Sequence, residues 1–185
     1  MNYEIYKNVR NASWQCLIDC NISSLPVSLS KICKQFDIRI VKNSSLSENQ
    51  LKDNERGKSG LFQNQITIII RNTDPMDIQR YTIAHEIGHI LIGKASSEYE
   101  AERFAIGILA PACVLWGLDI HEPEDISRLC NISITSAKIR AERMKLLYKR
   151  EQEFLQKYGR SCFLQSPLEQ KVYKQFQRFI EENKM

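Results

Sequence analysis

Two of the chain's three histidines stand four residues apart in His85-Glu86-Ile87-Gly88-His89, with a glutamate directly after the first. On a helix, residues i and i+4 share one face, about 6 Å apart along the axis, so both imidazoles can reach one ion. Glu86 is turned away from that pair. It is poorly placed to ligate but well placed to take a proton from a water activated by the ion, which is the division of labour in the H-E-x-x-H pattern. Ile83, Ala84, Ile87, Ile90 and Leu91 make this helix apolar around most of its circumference. Polar side chains buried on such a helix need partners. A metal ion satisfies both imidazoles at once, so the pentapeptide predicts a catalytic metal, provided that the fold supplies a third ligand.

The third ligand must come from elsewhere in the chain. A metzincin continuation would need Gly and His where this chain has Ile92 and Ala95, which excludes that class. Gly93 suits a helix C-terminus, and Ser97-Glu98-Tyr99-Glu100 is a capping-box pattern that opens a second helix running to about Pro111. At 100° per residue, Ala105 and Leu109 fall within about 20° of Glu98, so Glu98 is expected to point along the apolar stripe into the core. A carboxylate aimed there is costly unless paired or on a metal. Glu98 is therefore the expected third ligand. Glu102, about 40° round the helix, is the expected acceptor for a ligand histidine's other ring N–H. Glu100 faces solvent and is used at the third position of the cap.

These residues carry a family resemblance. The run Arg80-Tyr81-Thr82-Ile83-Ala84-His85-Glu86-Ile87-Gly88-His89 is followed by Glu98-x-Glu100-Ala101-Glu102-x-Phe104-Ala105 and Leu109-x-Pro111. Together they resemble the ImmA/IrrE metallopeptidases, most strongly over residues 60–111. Two positions depart from that family's pattern: Glu102 stands where Asn or Asp is usual, and Ala110 where Met is common. The resemblance implies a helix-rich α+β fold with a small β-sheet and a thermolysin-like metal helix. It also implies a hydrolase of antirepressor type, a zinc metalloprotease whose protein substrate is a helix-turn-helix repressor of a mobile element or stress regulon.

The elements that must position these residues can be read from the rest of the chain. Residues 3–20 read as a helix with Val9, Cys16 and Cys20 inward. A second helix begins near Pro26, with Leu29, Ile32, Cys33 and Phe36 at i, i+3, i+4, i+7 spacing. Residues 38–42 alternate as a strand, and residues 43–60 are polar and read as an exposed, mobile loop. Residues 61–71 supply a second strand region, Ile66 to Ile70 being strongly β-prone. A strand just before the metal helix could offer a sheet edge to a peptide substrate. Asp74 is expected to cap the metal helix, with Pro75 at its first position and Asp77 in its first turn.

Beyond Pro111 the reading is of residues 124–130 and 133–148 as two helices joined at Asn131, then an amphipathic last helix opened by Ser166-Pro167. From Lys138 to Met185, 12 Lys and Arg oppose 6 Asp and Glu, a balance of +6 against +4 for the whole chain. The spacing permits a DNA-reading helix-turn-helix. Ile134, Ala137, Ala141, Met144 and Tyr148, however, form a stripe better suited to packing, so direct nucleic-acid binding is not expected. The organisation expected is a metallopeptidase core over residues 1–118 and a helical extension over 119–185 packed on it.

At 185 residues and 43% hydrophobic, the chain can bury one sizeable core. It opens on a segment too polar for a signal peptide and has no membrane-length apolar run, so a soluble, cytoplasmic protein with no membrane partner is expected. Six cysteines without C-x-x-C spacing read as buried, reduced thiols. The expectation is a zinc endopeptidase of gluzincin type: His85, His89 and Glu98 hold one zinc, Glu86 is the general base, and manganese or iron would suit the same ligands. Tyr81, Tyr99 and His121 are all candidates to stabilise the oxyanion, and spacing does not rank them. The competing classes are a zinc-stabilised binding module, which leaves Glu86 without a task, and a DNA-binding regulator, which leaves the metal ligands unexplained.

Overall fold

The computed structural model describes residues 3–93 and 96–184; Ala95, used above to set the chain apart from metzincins, lies outside them. Helix α1 (Tyr3–Asp19) and short α2 (Leu29–Gln35) precede strand β1 (Arg39–Lys42), hairpin β2 (Gly57–Phe62) and β3 (Gln65–Ile70), and helix α3 (Met76–Ile92), which carries His85 and His89. Then come α4 (Glu98–Leu109), α5 (Ala112–Gly117), α6 (Pro123–Cys130), α7 (Ile134–Tyr158), α8 (Pro167–Gln175) and α9 (Gln177–Asn183). The architecture is α+β, helix-rich with one small sheet, and no helix is long and apolar enough to cross a membrane.

The sheet order is β1-β3-β2, with β1 parallel and β2 antiparallel to β3. Thr67, Ile68, Ile69 and Ile70 are all buried, as a strand covered on both faces requires. The strand immediately before the metal helix is therefore central, and the edge near α3 belongs to β2. Residues 61–71, expected as one strand region, contain the hairpin turn. Gln63 and Asn64 both take positive φ (49° and 61°), the geometry of a two-residue hairpin. Without an Asn-Gly or Asp-Gly pair, the sequence does not advertise that turn.

The polar stretch 43–60, read as an exposed mobile loop, is pinned instead. Leu51 is buried, Arg71 donates to the carbonyls of Lys52 and Asp53 at 2.8 Å each, and Asn43 Oδ1 accepts from Gln50 N at 2.9 Å. Its last residues form the first half of β2.

The N-terminus of α3 also differs from expectation. Asp74 does not cap: its Oδ2 is buried without a hydrogen-bond partner, and Pro75 occupies the cap position. Gln79 Nε2 holds this entry by donating to the carbonyls of Asp74 (2.7 Å) and Asn72 (3.2 Å).

The core runs continuously from α1 through α4 to the C-terminal helices. Leu17, Ile32, Ile87, Phe104, Leu109, Met144 and Phe176 all belong to one cluster. Within α7, Ala137, Ala141 and Met144 are buried as the apolar stripe predicts, whereas Ile134 is 42% exposed. This helix runs ten residues beyond the expected end to Tyr158, and Gly159 in the left-handed region closes it (φ 64°). The last helix is broken at Phe176, whose buried ring packs in the core. Five cysteines are buried, Cys162 is half-buried and all six are free. Burial pushes Cys33 up to about 11 and Cys130 up to about 12, which keeps them protonated and unreactive at neutral pH.

Helix α3 packs against α4 and against β2 and β3. The α3–α4 approach is close because of Gly88: a Cβ there would stand 3.1 Å from Ala101 Cα, 3.2 Å from Ala101 O and 3.3 Å from Phe104 Cβ. Overpacking against backbone typically costs about 1–3 kcal/mol. Gly88→Ala should lower the urea midpoint by that stability, whereas Gly60→Ala, whose Cβ would meet only the Phe62 ring edge at 3.4 Å, should stay within about 0.5 kcal/mol of the parent. Equal midpoints for the two variants would contradict a tight α3–α4 contact.

Candidate metal centre

The site is assembled where α3 ends and α4 begins. His85 and His89 lie one turn apart on α3, with ring centroids 4.8 Å apart and their planes at 77°. Gly93 ends the helix with φ 116°, a backbone conformation that L side chains rarely adopt, and its N–H bonds back to the His89 carbonyl at 3.2 Å. The chain then reaches Ser97, which caps α4. Ser97 Oγ accepts from Glu100 N, and Glu100 Oε2 accepts from Ser97 N at 2.8 Å. This is the predicted capping box, and its hydrogen bonds hold the Glu100 carboxyl below its usual range. Glu100 is thus committed to the cap.

Glu98, the first residue of α4, reaches back across α3. Its carboxylate oxygens lie 3.1 Å from His85 Nε2 and 3.4 Å from His89 Nε2, and the two Nε2 atoms are 3.1 Å apart. Metal–ligand bonds of ~2.0–2.1 Å in a tetrahedron place ligand atoms ~3.3–3.4 Å from one another. The N–N separation and the nearer N–O separations are close to that spacing, His85 meeting Oε2 of Glu98 and His89 meeting Oε1. His85, His89 and Glu98 therefore form a group that can hold a metal ion.

The expected reason for choosing Glu98 does not hold. Its side chain is not in the core but 80% exposed, although Ala101, Ala105 and Leu109 are buried as its helical face predicts. A residue in the first turn has no preceding turn to lie against. Its side chain leans past the helix end, here onto the histidine face of α3.

The acceptor assigned to Glu102 is also corrected. Among the described residues Glu102 bonds neither histidine; it is exposed, and its charge acts on Tyr81. The partner of His89 is Ser96, whose Oγ lies 3.0 Å from Nδ1. The His89 tautomer that donates Nδ1–H to that hydroxyl keeps the Nε2 lone pair towards Glu98 and His85. Ser96 lies in a turn and carries no periodic signal, so the helical reading passed over it.

Glu86 occupies a different environment. It is buried, at 8% exposure, and Ser59 Oγ on β2 donates to its Oε2 at 2.7 Å. Its Oε1 accepts no hydrogen bond among the described residues. A single serine in a polar stretch gave no hint of this contact.

The three oxyanion candidates separate in space. The Tyr81 ring lies 6.3 Å from that of His85, and burial, assisted by the Glu102 charge, pushes its hydroxyl up to about 12, so it keeps its proton at neutral pH. Tyr99 is 40% exposed and stacked by the Arg103 guanidinium, and His121 packs edge-on against Tyr148 beside Glu122.

Comparison with known proteins finds neither a family model nor a curated protein that matches the chain.

The geometry makes a graded prediction. One divalent ion should bind per chain; Glu98→Ala should weaken it steeply and Glu100→Ala should leave it unchanged. Ser96→Ala should weaken it by about tenfold or more, the usual effect of removing a ligand's hydrogen-bond partner. Competition against a chromophoric chelator measures all three. Loss of the ion in Glu100→Ala but not in Glu98→Ala would refute the assignment.

Proposed function

We propose that the protein is a zinc-dependent endopeptidase with His85, His89 and Glu98 as ligands and Glu86 as general base. The observation that carries this reading is the pairing of a three-ligand group with a separate, buried carboxylate on the next residue of the same helix. Structural zinc sites usually close with four protein ligands, whereas catalytic sites use three; three are brought together here among the described residues. Zinc bound there supplies Lewis acidity, lowering the pKa of a water to about 7 and polarising the scissile carbonyl.

The chain's own groups account for the proton. Ser59 holds Glu86 Oε2, leaving Oε1 to take the proton from the attacking water and pass it to the leaving amine. The hydroxyl of Tyr81 is a candidate donor to the developing oxyanion. Strand β2, whose Ser59 meets Glu86, is the sheet edge on this side. An extended peptide added along that edge would be held by main-chain hydrogen bonds next to the carboxylate.

The substrate class, a helix-turn-helix repressor of a mobile element or stress regulon, rests on the resemblance to ImmA/IrrE metallopeptidases. A DNA-binding role for the extension is disfavoured because Arg140 is buried and donates to the Ile106 carbonyl at 2.8 Å.

The test separates catalysis from metal-held structure. Glu86→Gln should keep its zinc and fold and still bind the repressor encoded beside its gene. It should cleave that repressor ~10²–10⁴-fold more slowly, roughly 3–5 kcal/mol of transition-state stabilisation. Mass spectrometry of the fragments follows the reaction. A variant that cleaves as fast as the parent removes the mechanism.

A further inference from the structure

A second polar site lies away from the metal ligands. Between α1, α4, α5, α7 and the segment leading into α8 is an open cavity of about 310 Å³, at the lower end of the size range of small-molecule sites. None of His85, Glu86, His89 or Glu98 lines it.

Five arginines do: Arg10, Arg103, Arg140, Arg143 and Arg150. Glu151 and Glu169 also line the cavity, leaving a balance of +3. Among the described residues none of the five arginines forms an ion pair with a carboxylate. Glu151 instead accepts the backbone N–H of Cys162 at 2.8 Å. The guanidiniums rest on neutral partners: Arg140 donates to the Ile106 carbonyl at 2.8 Å, Arg143 to Tyr6 Oη at 3.0 Å and Arg10 to Asn11 Oδ1 at 3.1 Å, while Arg103 lies over the Tyr99 ring.

Two donors are left over. Arg140 Nε and Arg143 Nε are buried and have no hydrogen-bond partner among the described residues, and Arg140 as a whole is only 8% exposed. Burial lowers Arg140 to about 10, so it remains cationic at neutral pH. A buried, charged donor without an acceptor is costly, and several in one cavity repel one another unless an anion enters. Ile139, 52% exposed, and Leu147 line the same space and offer apolar surface to an uncharged portion of a ligand, beside Trp116, which is stacked between Tyr148 and Phe163, and Trp14, which is covered by Arg10.

We propose that this cavity binds a small phosphorylated metabolite, its phosphate held by the guanidiniums of Arg140 and Arg143 and its organic part against Ile139 and Leu147. The planar guanidinium fork matches phosphate oxygens with paired hydrogen bonds. The net charge calls for a multiply charged anion. The proposal is independent of the peptidase reading, because it shares no residue with the metal ligands or the general base.

Trp14 and Trp116 are the chain's only tryptophans, so intrinsic fluorescence reports on the cavity directly. Titration of the full chain with AMP and with inorganic pyrophosphate, at physiological salt, should give saturable changes with Kd below about 1 mM. Citrate, a carboxylate anion of comparable charge, should bind at least tenfold more weakly. Arg143→Gln should weaken AMP by about tenfold or more, and so should Arg103→Gln, which removes no buried backbone partner. Glu86→Gln should bind as the parent does. No saturable change up to about 10 mM, citrate binding as tight as pyrophosphate, or undiminished AMP affinity in both folded arginine variants would each overturn the proposal. Circular dichroism establishes that the variants are folded.

Discussion

The contact that the rest of the site depends on is the close approach of α3 and α4 at Gly88. His85 and His89 stand on one helix and Glu98 on the other, and the separations of 3.1–3.4 Å between their nitrogen and oxygen atoms need the two helices close together. A Cβ at Gly88 would stand 3.1 Å from the Ala101 backbone, so the helices would have to shift by a few tenths of an ångström to admit one. The turn between the helices is under matching constraints: Gly93 takes a φ closed to most residues, and the capping box then fixes the first turn of α4 that carries Glu98. Packing therefore brings three lone-pair donors together where, without a cation, they have little reason to meet.

The two carboxylates, Glu98 on α4 and Glu86 on α3, stand under opposite conditions. Glu98 is on the exposed rim and can adjust to an ion, whereas Glu86 is buried and fixed by Ser59 from the neighbouring strand. Exposure suits a ligand that closes a site from one side. Burial and a single strong hydrogen bond hold Glu86 in one orientation, as its proposed role of general base requires. The small sheet is thus more than a platform for α3, since its edge strand carries the group that orients Glu86.

What could be read in advance divides along the range of the interaction. The histidine pair and the capping box are local, set by i, i+4 and i, i+3 spacing, and both are where the sequence places them. Glu98 was identified by its helical angle, but its environment was misread because angular arguments assume a helix interior and Glu98 is an end residue. Ser96 and Ser59 touch the site from a turn and from a strand distant in sequence, and no periodicity marks either. The hairpin was hidden because Gln63 and Asn64 adopt positive φ without a glycine. Glu102 lies near the expected face, yet the hydrogen bond assigned to it is made by a residue before the helix starts.

The C-terminal helices show why a charge count is a poor guide to a surface. The excess of cations after residue 137 looks like a nucleic-acid footprint, which needs unpaired Lys and Arg clustered on one exposed face. The structure distributes them otherwise. Arg140 and Arg143 turn inward towards α4 and α1. On the outside Lys145 pairs with Glu142 at 3.0 Å, Lys149 with Glu153 at 4.0 Å and Arg178 with Glu182 at 2.7 Å. Such i, i+3 and i, i+4 pairs contribute only a few tenths of a kcal/mol each, and each offsets one cation of the exposed surface. Among the described residues the inward arginines form no ion pair with a carboxylate, so their charge is directed into the cavity, where access is limited to something small.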